Sequence, residues 1–233
     1  MSLFSHSITA MALSTILFVG GHFALSHPLR KPLTAALGEG GHRGLYTLVA
    51  FVGLGWMIWA HRTAPHIALW GDPIWARHLL LLIMLAAVLL FMLGMTTPNP
   101  GIVGAEKAPM TYDSGLGVHA IVRHPGLWGF ALWGLGHLLA NGDAATVILG
   151  GGIAVLAFGG MWGIDARKAR ALPDVYGRFM AHTSNLPFAA LAAGRVRLDW
   201  SKIGLWRIAV ALVVYFAMLF GHQWVFGLSA LPV

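Results

Sequence analysis

Residues 76–95 read ARHLLLLIMLAAVLLFMLGM, and Arg77 and His78 are the only ionisable side chains in this run. An α-helix rises about 1.5 Å per residue, so about 20 apolar residues cross the hydrocarbon core of a bilayer. This segment is long and apolar enough to do so. It predicts a transmembrane helix, and with it the class of the fold.

Five other apolar runs resemble this one. They extend roughly over Phe4–Leu25, Leu45–Ala60, Gly126–Ala140, Ala145–Gly163 and Ile203–Phe226. We therefore predict an all-α bundle of about six transmembrane helices, forming a single domain over residues 1–233. The second and fourth of the six runs are short, so we expect them to extend at one end or to lie in thinned bilayer.

Composition agrees with a membrane protein, because 58% of the 233 residues are hydrophobic and only 10% are charged. A soluble domain of this size needs more charge to cover its surface. The formal net charge is +7, but no basic stripe with interleaved aromatic residues is present, which argues against nucleic acid as a partner. The expected partner is membrane lipid. The absence of cysteine excludes disulfides, thiolate metal sites and iron–sulfur clusters.

Basic residues are distributed unevenly between the predicted connections. The connections after the first, third and fifth spans hold 13 of the 15 Lys and Arg residues, and the opposite side holds Arg62 and Arg77. By the positive-inside rule the basic side is cytoplasmic, and both termini face outward. The cytoplasmic basic residues are Arg30, Lys31, Arg43, Lys107, Arg123, Arg167, Lys168, Arg170, Arg178, Arg195, Arg197, Lys202 and Arg207.

His22 lies inside the first span, one to two turns from its cytoplasmic end. An ionisable side chain at that depth is costly without a partner, so a functional role is one interpretation. A neutral imidazole bonded to a neighbouring helix is the other. His27, beside Pro28, is expected at the interface.

The fourth span begins after Arg123-His124-Pro125. At about 100° per residue, Gly129, Trp133 and His137 project from one face, whereas His124 points nearly the opposite way. Such a glycine-rich face allows either a neighbouring helix or a flat macrocycle to approach closely, and His137 could be an axial ligand of the latter.

Asp165, at the end of the fifth span, could pair with Arg123 across the mouth of a site that opens toward the cytoplasm. The basic segment that follows, from Asp165 to Arg197, is amphipathic and is expected to lie partly along the membrane surface. Asn141-Gly142-Asp143 is typical of a tight outer turn.

Several of these motifs, in this order, resemble the NnrU family, which includes the 15-cis-zeta-carotene isomerases. The resemblance covers about residues 22–195. It rests on His22 followed by Arg30, Ser114-Gly115 leading into Arg123-His124-Pro125, Trp133-x-x-x-His137, Asp165-x-Arg167, and the run from Thr183 through Ala190 to Gly194-Arg195.

The resemblance implies a bacterial cytoplasmic-membrane protein that binds heme b through His22 and His137. Arg30 and Arg123 would then pair with the propionates. The isomerases carry a cysteine three residues before the second histidine, where this chain has Gly134. If that thiol serves a ligand switch, this chain cannot perform the same switch.

The implied reaction is cis–trans isomerisation of a conjugated, carotenoid-like molecule. A non-enzymatic role in nitrite and nitric oxide metabolism is the other possibility within the family. Depth raises a difficulty, because His137 lies about 18 Å inward from Pro125 and His22 about 12 Å from Arg30. By depth His124 matches His22 better, so we keep His124 as a reserve ligand.

The Arg-His-Pro motif followed by Tyr176-Gly177-x-Phe179 also resembles membrane methyltransferases of the isoprenylcysteine and phospholipid type. That resemblance implies S-adenosylmethionine bound near Arg123, His124, Asp165 and Arg178. The acidic pair of that family is reduced here to Asp165-Ala166. Shared architecture is therefore the simpler expectation for this alternative.

Overall fold

The computed structural model describes residues 4–102, 104, 110 and 112–232. The described residues form nine α-helices and no strand, which confirms the all-α prediction. The helices are α1 (Ile8–Ser26), α2 (Arg30–Thr63), α3 (Ile74–Thr96), α4 (Val118–Ile121), α5 (Pro125–Ala140), α6 (Ala144–Ala171), α7 (Pro173–His182), α8 (Ala189–Ala192) and α9 (Leu205–Phe226). A 3₁₀ turn at Trp200–Lys202 precedes α9.

Five of the six predicted spans correspond to helices that are long and apolar enough to cross a membrane: α1, α2, α3, α6 and α9. The predicted fourth span is α5, which has only 16 residues. Its length of about 24 Å is less than the hydrocarbon thickness of about 30 Å. The helix that contains the predicted second span is much longer than the apolar run, because α2 begins at Arg30. This helix is interrupted at Gly38, where φ is 70°.

The predicted orientation, with basic connections in the cytoplasm and both termini outside, stays a prediction. Among the basic residues that support it, Lys107 lies outside the described residues.

The chain divides into two compact units. Unit 1 comprises Met1–Ala76 and Trp133–Leu156, and unit 2 comprises Arg77–Leu132 and Ala157–Val233. Both α5 and α6 therefore contribute residues to each unit.

Unit 1 is built on the hairpin of α1 and α2, joined by the start of α6. The Ser7 side chain caps α1 by accepting a hydrogen bond from the Ala10 amide at 3.0 Å. Its buried core combines residues of the three helices, namely Ala10, Met11, Phe18, Met57, Ala60 and Ala145. Ala10 and Met11 share a cluster with Ala145, and farther along both helices Thr15 lies against Gly152, so α1 and α6 run in the same direction here.

The connection between α5 and α6 is the tight turn predicted at residues 141–143. The segment after α2 is fixed onto it, because the Leu69 amide donates to the Gly142 carbonyl at 2.6 Å. The Ile67 amide donates to Asp143 Oδ1 at 3.0 Å, and the Ala144 amide donates to the Ile67 carbonyl at 2.9 Å. A side chain at Gly142 would collide with the Trp70 carbonyl, which explains the glycine.

Unit 2 packs the short helices around α7. The amphipathic pattern of α7 is real, but its apolar residues Tyr176 and Phe179 are fully buried in protein. This part of the predicted surface segment therefore turns its apolar face toward unit 2 and not toward lipid. The exposed side of α7 is polar, with Asp174 and Arg178 on it.

Candidate functional site

Asp165 is the centre of a buried polar cluster in unit 2. Its Oδ1 accepts hydrogen bonds from His124 Nε2 at 2.8 Å and from the Tyr176 hydroxyl at 2.7 Å. Its Oδ2 accepts from Arg123 NH1 at 2.5 Å and from Asn185 Nδ2 at 2.6 Å. The carboxylate can accept about four hydrogen bonds, so this one is saturated. The predicted pairing of Asp165 with Arg123 is present.

The Arg123 guanidinium is occupied by protein groups on every nitrogen. Its Nε donates to Thr183 Oγ1 at 2.9 Å, and NH2 donates to the carbonyls of Met180 at 3.2 Å and Thr183 at 3.0 Å. The residue is only 7% exposed. The prediction that Arg123 would pair with a propionate is therefore not favoured, because its donors already have internal acceptors.

The loop after α7 closes the cluster. The Arg123 amide donates to the Ser184 carbonyl at 2.7 Å, and the Phe188 amide donates to the Ile121 carbonyl at 2.7 Å. The Trp128 indole donates to the Asn185 carbonyl at 2.9 Å. Phe188 adopts a left-handed conformation with φ of 63°, which is unfavourable for a bulky residue.

Two other groups of unit 2 are kept uncharged by burial. Burial raises the pKa of Tyr176 well above its ordinary value, and the neighbouring Asp165 carboxylate raises it further. His119 is 1% exposed, and burial lowers its pKa to about 4. Its Nδ1 lies 3.3 Å from the Arg123 carbonyl.

His22 is half-buried in unit 1. Its Nδ1 lies 2.7 Å from the Phe18 carbonyl, and its ring packs edge-on against Phe18 and Tyr46 at 4.4 and 5.2 Å. A carbonyl can only accept, so Nδ1 carries the hydrogen and Nε2 of the neutral ring is unprotonated. That is the tautomer in which a histidine coordinates a metal through Nε2.

Sequence reasoning missed the neighbours of His22 on α2. His42 is 3% exposed and its Nε2 lies 3.0 Å from the Leu25 carbonyl, while its ring is 6.4 Å from that of Tyr46. The spacing of four residues between His42 and Tyr46 places both on one helix face and could have indicated the pair.

His137 has the same arrangement in the last turn of α5. Its Nδ1 lies 2.9 Å from the Trp133 carbonyl, and its ring centroid is 4.6 Å from that of Trp133. His182 of α7 provides a comparison: it is half-buried and stacked on Tyr112, and it makes the same contact with the Arg178 carbonyl at 2.8 Å. The contact orients the ring and sets its tautomer; it does not by itself mark a ligand.

The glycines of α5 serve helix packing. A side chain at Gly129 would lie 2.7 Å from the Ala87 carbonyl and 2.8 Å from Phe91 Cβ, both on α3. Between α5 and α6, a side chain at Gly134 would collide with the Gly150 carbonyl, and a side chain at Gly150 would collide with the Gly134 carbonyl. At Gly129 the structure therefore favours the neighbouring-helix interpretation over a macrocycle.

Contacts with α6 fix the levels of the two histidines in unit 1. Gly134 of α5 lies against Gly150, and Thr15 of α1 lies against Gly152. His137 lies three residues beyond Gly134, toward the start of α6. His22 lies seven residues beyond Thr15, toward the end of α6. With the two residues between Gly150 and Gly152, the levels differ by about twelve residues, or about 18 Å at about 1.5 Å per residue.

That separation matters for a shared metal. Metal–imidazole bonds are about 2 Å long, so two axial nitrogens on one iron lie about 4 Å apart. In this structure His22 and His137 do not fit as the axial pair of a single heme. The helix registers thus reproduce the depth difficulty that the sequence raised.

The remaining predicted residues are placed as follows. Arg30 NH2 contacts both carboxylate oxygens of Glu39, at 3.1 and 3.0 Å, in an exposed ion pair across the break in α2. Such pairs contribute little to stability, so Arg30 can exchange its partner. Of the four residues expected for S-adenosylmethionine, Arg178 is apart from the Asp165 cluster: it is exposed, with Nε 3.4 Å from the Asp174 carbonyl.

With the site described, comparison with known proteins gives the family. The sequence matches the NnrU protein family over residues 10–230. The chain belongs to the NnrU family. The match includes His22, His137 and the whole Asp165 cluster, and it extends beyond residues 22–195.

Two curated proteins are similar to this NnrU chain. The chloroplastic 15-cis-zeta-carotene isomerase of Zea mays is 27% identical over 215 residues, covering 85% of this chain and 55% of the isomerase. That of Arabidopsis thaliana is 26% identical over 199 residues, covering 80% and 51%. The chain spans about half the length of these relatives. No solved structure matches it.

Proposed function

We propose that this NnrU protein is an integral membrane protein that binds heme b through His137 and catalyses cis–trans isomerisation of a conjugated, carotenoid-like molecule. The observation that carries the proposal is the similarity of the chain to two named isomerases, together with a family match that includes His137 in the apolar helix α5.

Exposed apolar side chains support integration in the membrane. Val213, Phe216 and Phe220 on α9 are 68%, 48% and 62% exposed, and Trp162 on α6 is 81% exposed. Apolar surface of this extent is unfavourable in water and is covered by lipid in a membrane protein. Five helices are long and apolar enough to cross a bilayer, and α6 and α9, which carry these side chains, are among them.

The residues around His137 suit a metal ligand. Donation from Nδ1 to the Trp133 carbonyl holds the ring in one orientation and makes the other nitrogen more basic. The Trp133 indole packs beside the ring, with the two ring centroids 4.6 Å apart. Heme b, when bound, would supply an iron that can withdraw or donate electron density and so weaken a conjugated double bond.

One protein ligand is compatible with the proposed chemistry. Isomerisation at a metal requires a coordination position that the protein does not fill. Because His22 lies about 18 Å from the level of His137, it does not occupy that position in this geometry. His137 would then hold the group in an apolar surrounding, which suits an apolar substrate.

An absorption spectrum of the detergent-purified protein tests the proposal. We expect a Soret band that is lost in His137→Ala and kept in His182→Ala, a matched control whose ring makes the same contact within its own helix. A Soret band that survives His137→Ala unchanged would contradict the ligand assignment.

Two further outcomes would contradict the proposed reaction and favour another function. If the ferrous protein binds neither CO nor NO, isomerisation at an open iron position is untenable, and a non-enzymatic role in nitrogen-oxide metabolism takes its place. If no Soret band is present and the protein binds S-adenosylmethionine, the methyltransferase alternative takes its place.

A further inference from the structure

We infer that an open groove at one end of unit 1 binds the ammonium headgroup of a zwitterionic membrane lipid. The groove has a volume of about 700 Å³, which lies within the range of ordinary small-molecule sites. All of its lining residues belong to unit 1: Trp70, Gly71, Asp72, Pro73, Trp75, Leu138 and Leu139. The inference is independent of heme and of the proposed reaction.

Trp70 is held in place by the turn between α5 and α6. Its amide donates to the Gly142 carbonyl at 3.3 Å. Its own carbonyl and indole lie so close to Gly142 that a side chain at that position would collide with both. Trp70 is nevertheless 43% exposed. The groove therefore has a fixed tryptophan with accessible surface in its wall.

Trp75 lines the same groove from the first turn of α3. The next residue, Ala76, is fully buried, and its amide donates to the Pro73 carbonyl at 2.9 Å, which fixes the start of the helix. Trp75 itself is 58% exposed. Indole faces attract cations more strongly than other aromatic side chains do, and rings of this kind bind quaternary ammonium groups. Two exposed indoles in one groove thus favour a cationic ligand.

Asp72 supplies the matching negative charge. It lies between the two tryptophans in the sequence, lines the same groove and is exposed. The other carboxylate of this end of unit 1, that of Asp143, already accepts hydrogen bonds from the amides of Ile67 and Thr146 at 3.0 and 3.1 Å. A carboxylate beside two indoles attracts an ammonium group and repels an anionic headgroup.

The position of the groove favours a lipid over a soluble cation. The groove lies where α3 begins and α5 ends, and α3 is long and apolar enough to cross a membrane. The first residues of such a helix lie near the lipid headgroups, where tryptophan is common. Leu138 and Leu139, in the last turn of α5, add an apolar lining that an acyl chain can contact.

Lipid retention in a non-ionic detergent tests the inference. Phosphatidylcholine and phosphatidylglycerol with the same acyl chains are added in equal amounts, and native mass spectrometry counts the lipids that stay bound. We expect Asp72→Asn and Trp75→Leu each to lower the ratio of bound phosphatidylcholine to phosphatidylglycerol about 5-fold relative to the wild type. Asp72→Glu, which keeps the carboxylate, should preserve most of the ratio.

Two substitutions in unit 2 are matched controls. Asp174→Asn removes the same charge from the exposed side of α7, and Trp200→Leu removes a tryptophan that is 71% exposed. Both should leave the ratio unchanged. A ratio that is unchanged in both groove variants, or that falls equally in the controls, would overturn the inference.

Two other occupants of the groove are distinguished by the same assay. If the groove variants lower the retention of a diacylglycerol with the same chains as much as that of phosphatidylcholine, acyl chains alone fill the groove and the headgroup site is excluded. If free choline displaces short-chain phosphatidylcholine at an equal concentration, the ligand is a soluble cation and the lipid assignment is overturned. Neither readout depends on the Soret band, so the proposed function and this inference can fail separately.

Discussion

Asp165 and Arg123 form a buried ion pair at 2.5 Å in which each residue is 7% exposed. Each partner has further hydrogen bonds, so neither charge is left uncompensated in the interior of unit 2. A buried ion pair contributes little to stability compared with an apolar replacement of both residues. Removing only one partner, however, leaves the other charge buried without a counter-charge.

The first prediction follows from this asymmetry. Asp165→Ala should lower the free energy of unfolding in detergent by about 3 kcal/mol or more, because the Arg123 charge stays buried without its partner. Asp174→Ala on the exposed face of α7 is the control and should change it by less than about 0.5 kcal/mol.

The double variant Arg123→Met/Asp165→Leu should be less destabilised than Asp165→Ala, since it buries no unpaired charge. Denaturant unfolding followed by circular dichroism measures all three variants. Equal stability of Asp165→Ala and the wild type would show that the pair is not buried as described.

His119 should make stability depend on pH. Its pKa is about 4 in the folded protein and 6.5 as the ordinary value, so between these pH values the unfolded chain binds the extra proton. Stability is therefore full above pH 6.5 and falls as the pH decreases toward 4. The loss due to this residue is about 3 kcal/mol.

The check compares unfolding free energies at pH 7 and pH 4.5 for the wild type and His119→Phe. The variant should show a smaller decrease, since an apolar ring at this position takes up no proton. The same decrease in both proteins would mean that His119 is not the group responsible.

Gly134 should not tolerate a side chain. A β-carbon there would collide with the Gly150 carbonyl, so Gly134→Ala should cost about 1–3 kcal/mol by forcing α5 and α6 apart. Gly151→Ala is the matched control, because no atom lies within 4 Å of its β-carbon position. It should be neutral or stabilising by up to about 1 kcal/mol.

The same contact bears on the absent cysteine. At Gly134, where the family resemblance implies a thiol in the isomerases, this chain has close helix packing. If Gly134→Ala and Gly151→Ala unfold alike, α5 and α6 do not meet at these glycines, and the levels assigned to His137 lose their basis.

Phe188 holds a left-handed backbone conformation, with φ of 63°. Glycine adopts this conformation without a steric penalty, whereas alanine does not. Phe188→Gly should therefore be more stable than Phe188→Ala by about 1 kcal/mol. The comparison of these two variants cancels the loss of the exposed ring, and the reverse order would exclude strain at this position.

Much of the fold follows from hydrophobic run length. The apolar runs predicted the positions of α1, α3, α6 and α9, because a run of about 20 apolar residues is typical of a transmembrane helix. The second run was expected to extend at one end, and α2 does so through polar residues from Arg30. The fourth run matches α5 within one residue, but α5 has only 16 residues, bounded by Pro125 and the outer turn.

The candidate sites were only partly visible in the sequence. Depth and charge indicated Asp165 with Arg123, but Tyr176 and Asn185 join them through a loop whose path depends on tertiary hydrogen bonds.

The most direct test of the central claim is the absorption spectrum of the detergent-purified protein and of its His137→Ala variant. The proposed function requires a Soret band in the wild type, its loss in His137→Ala, and its retention in His182→Ala. A wild-type protein without a Soret band after expression with sufficient heme, or a His137→Ala variant that keeps the full band, would contradict it.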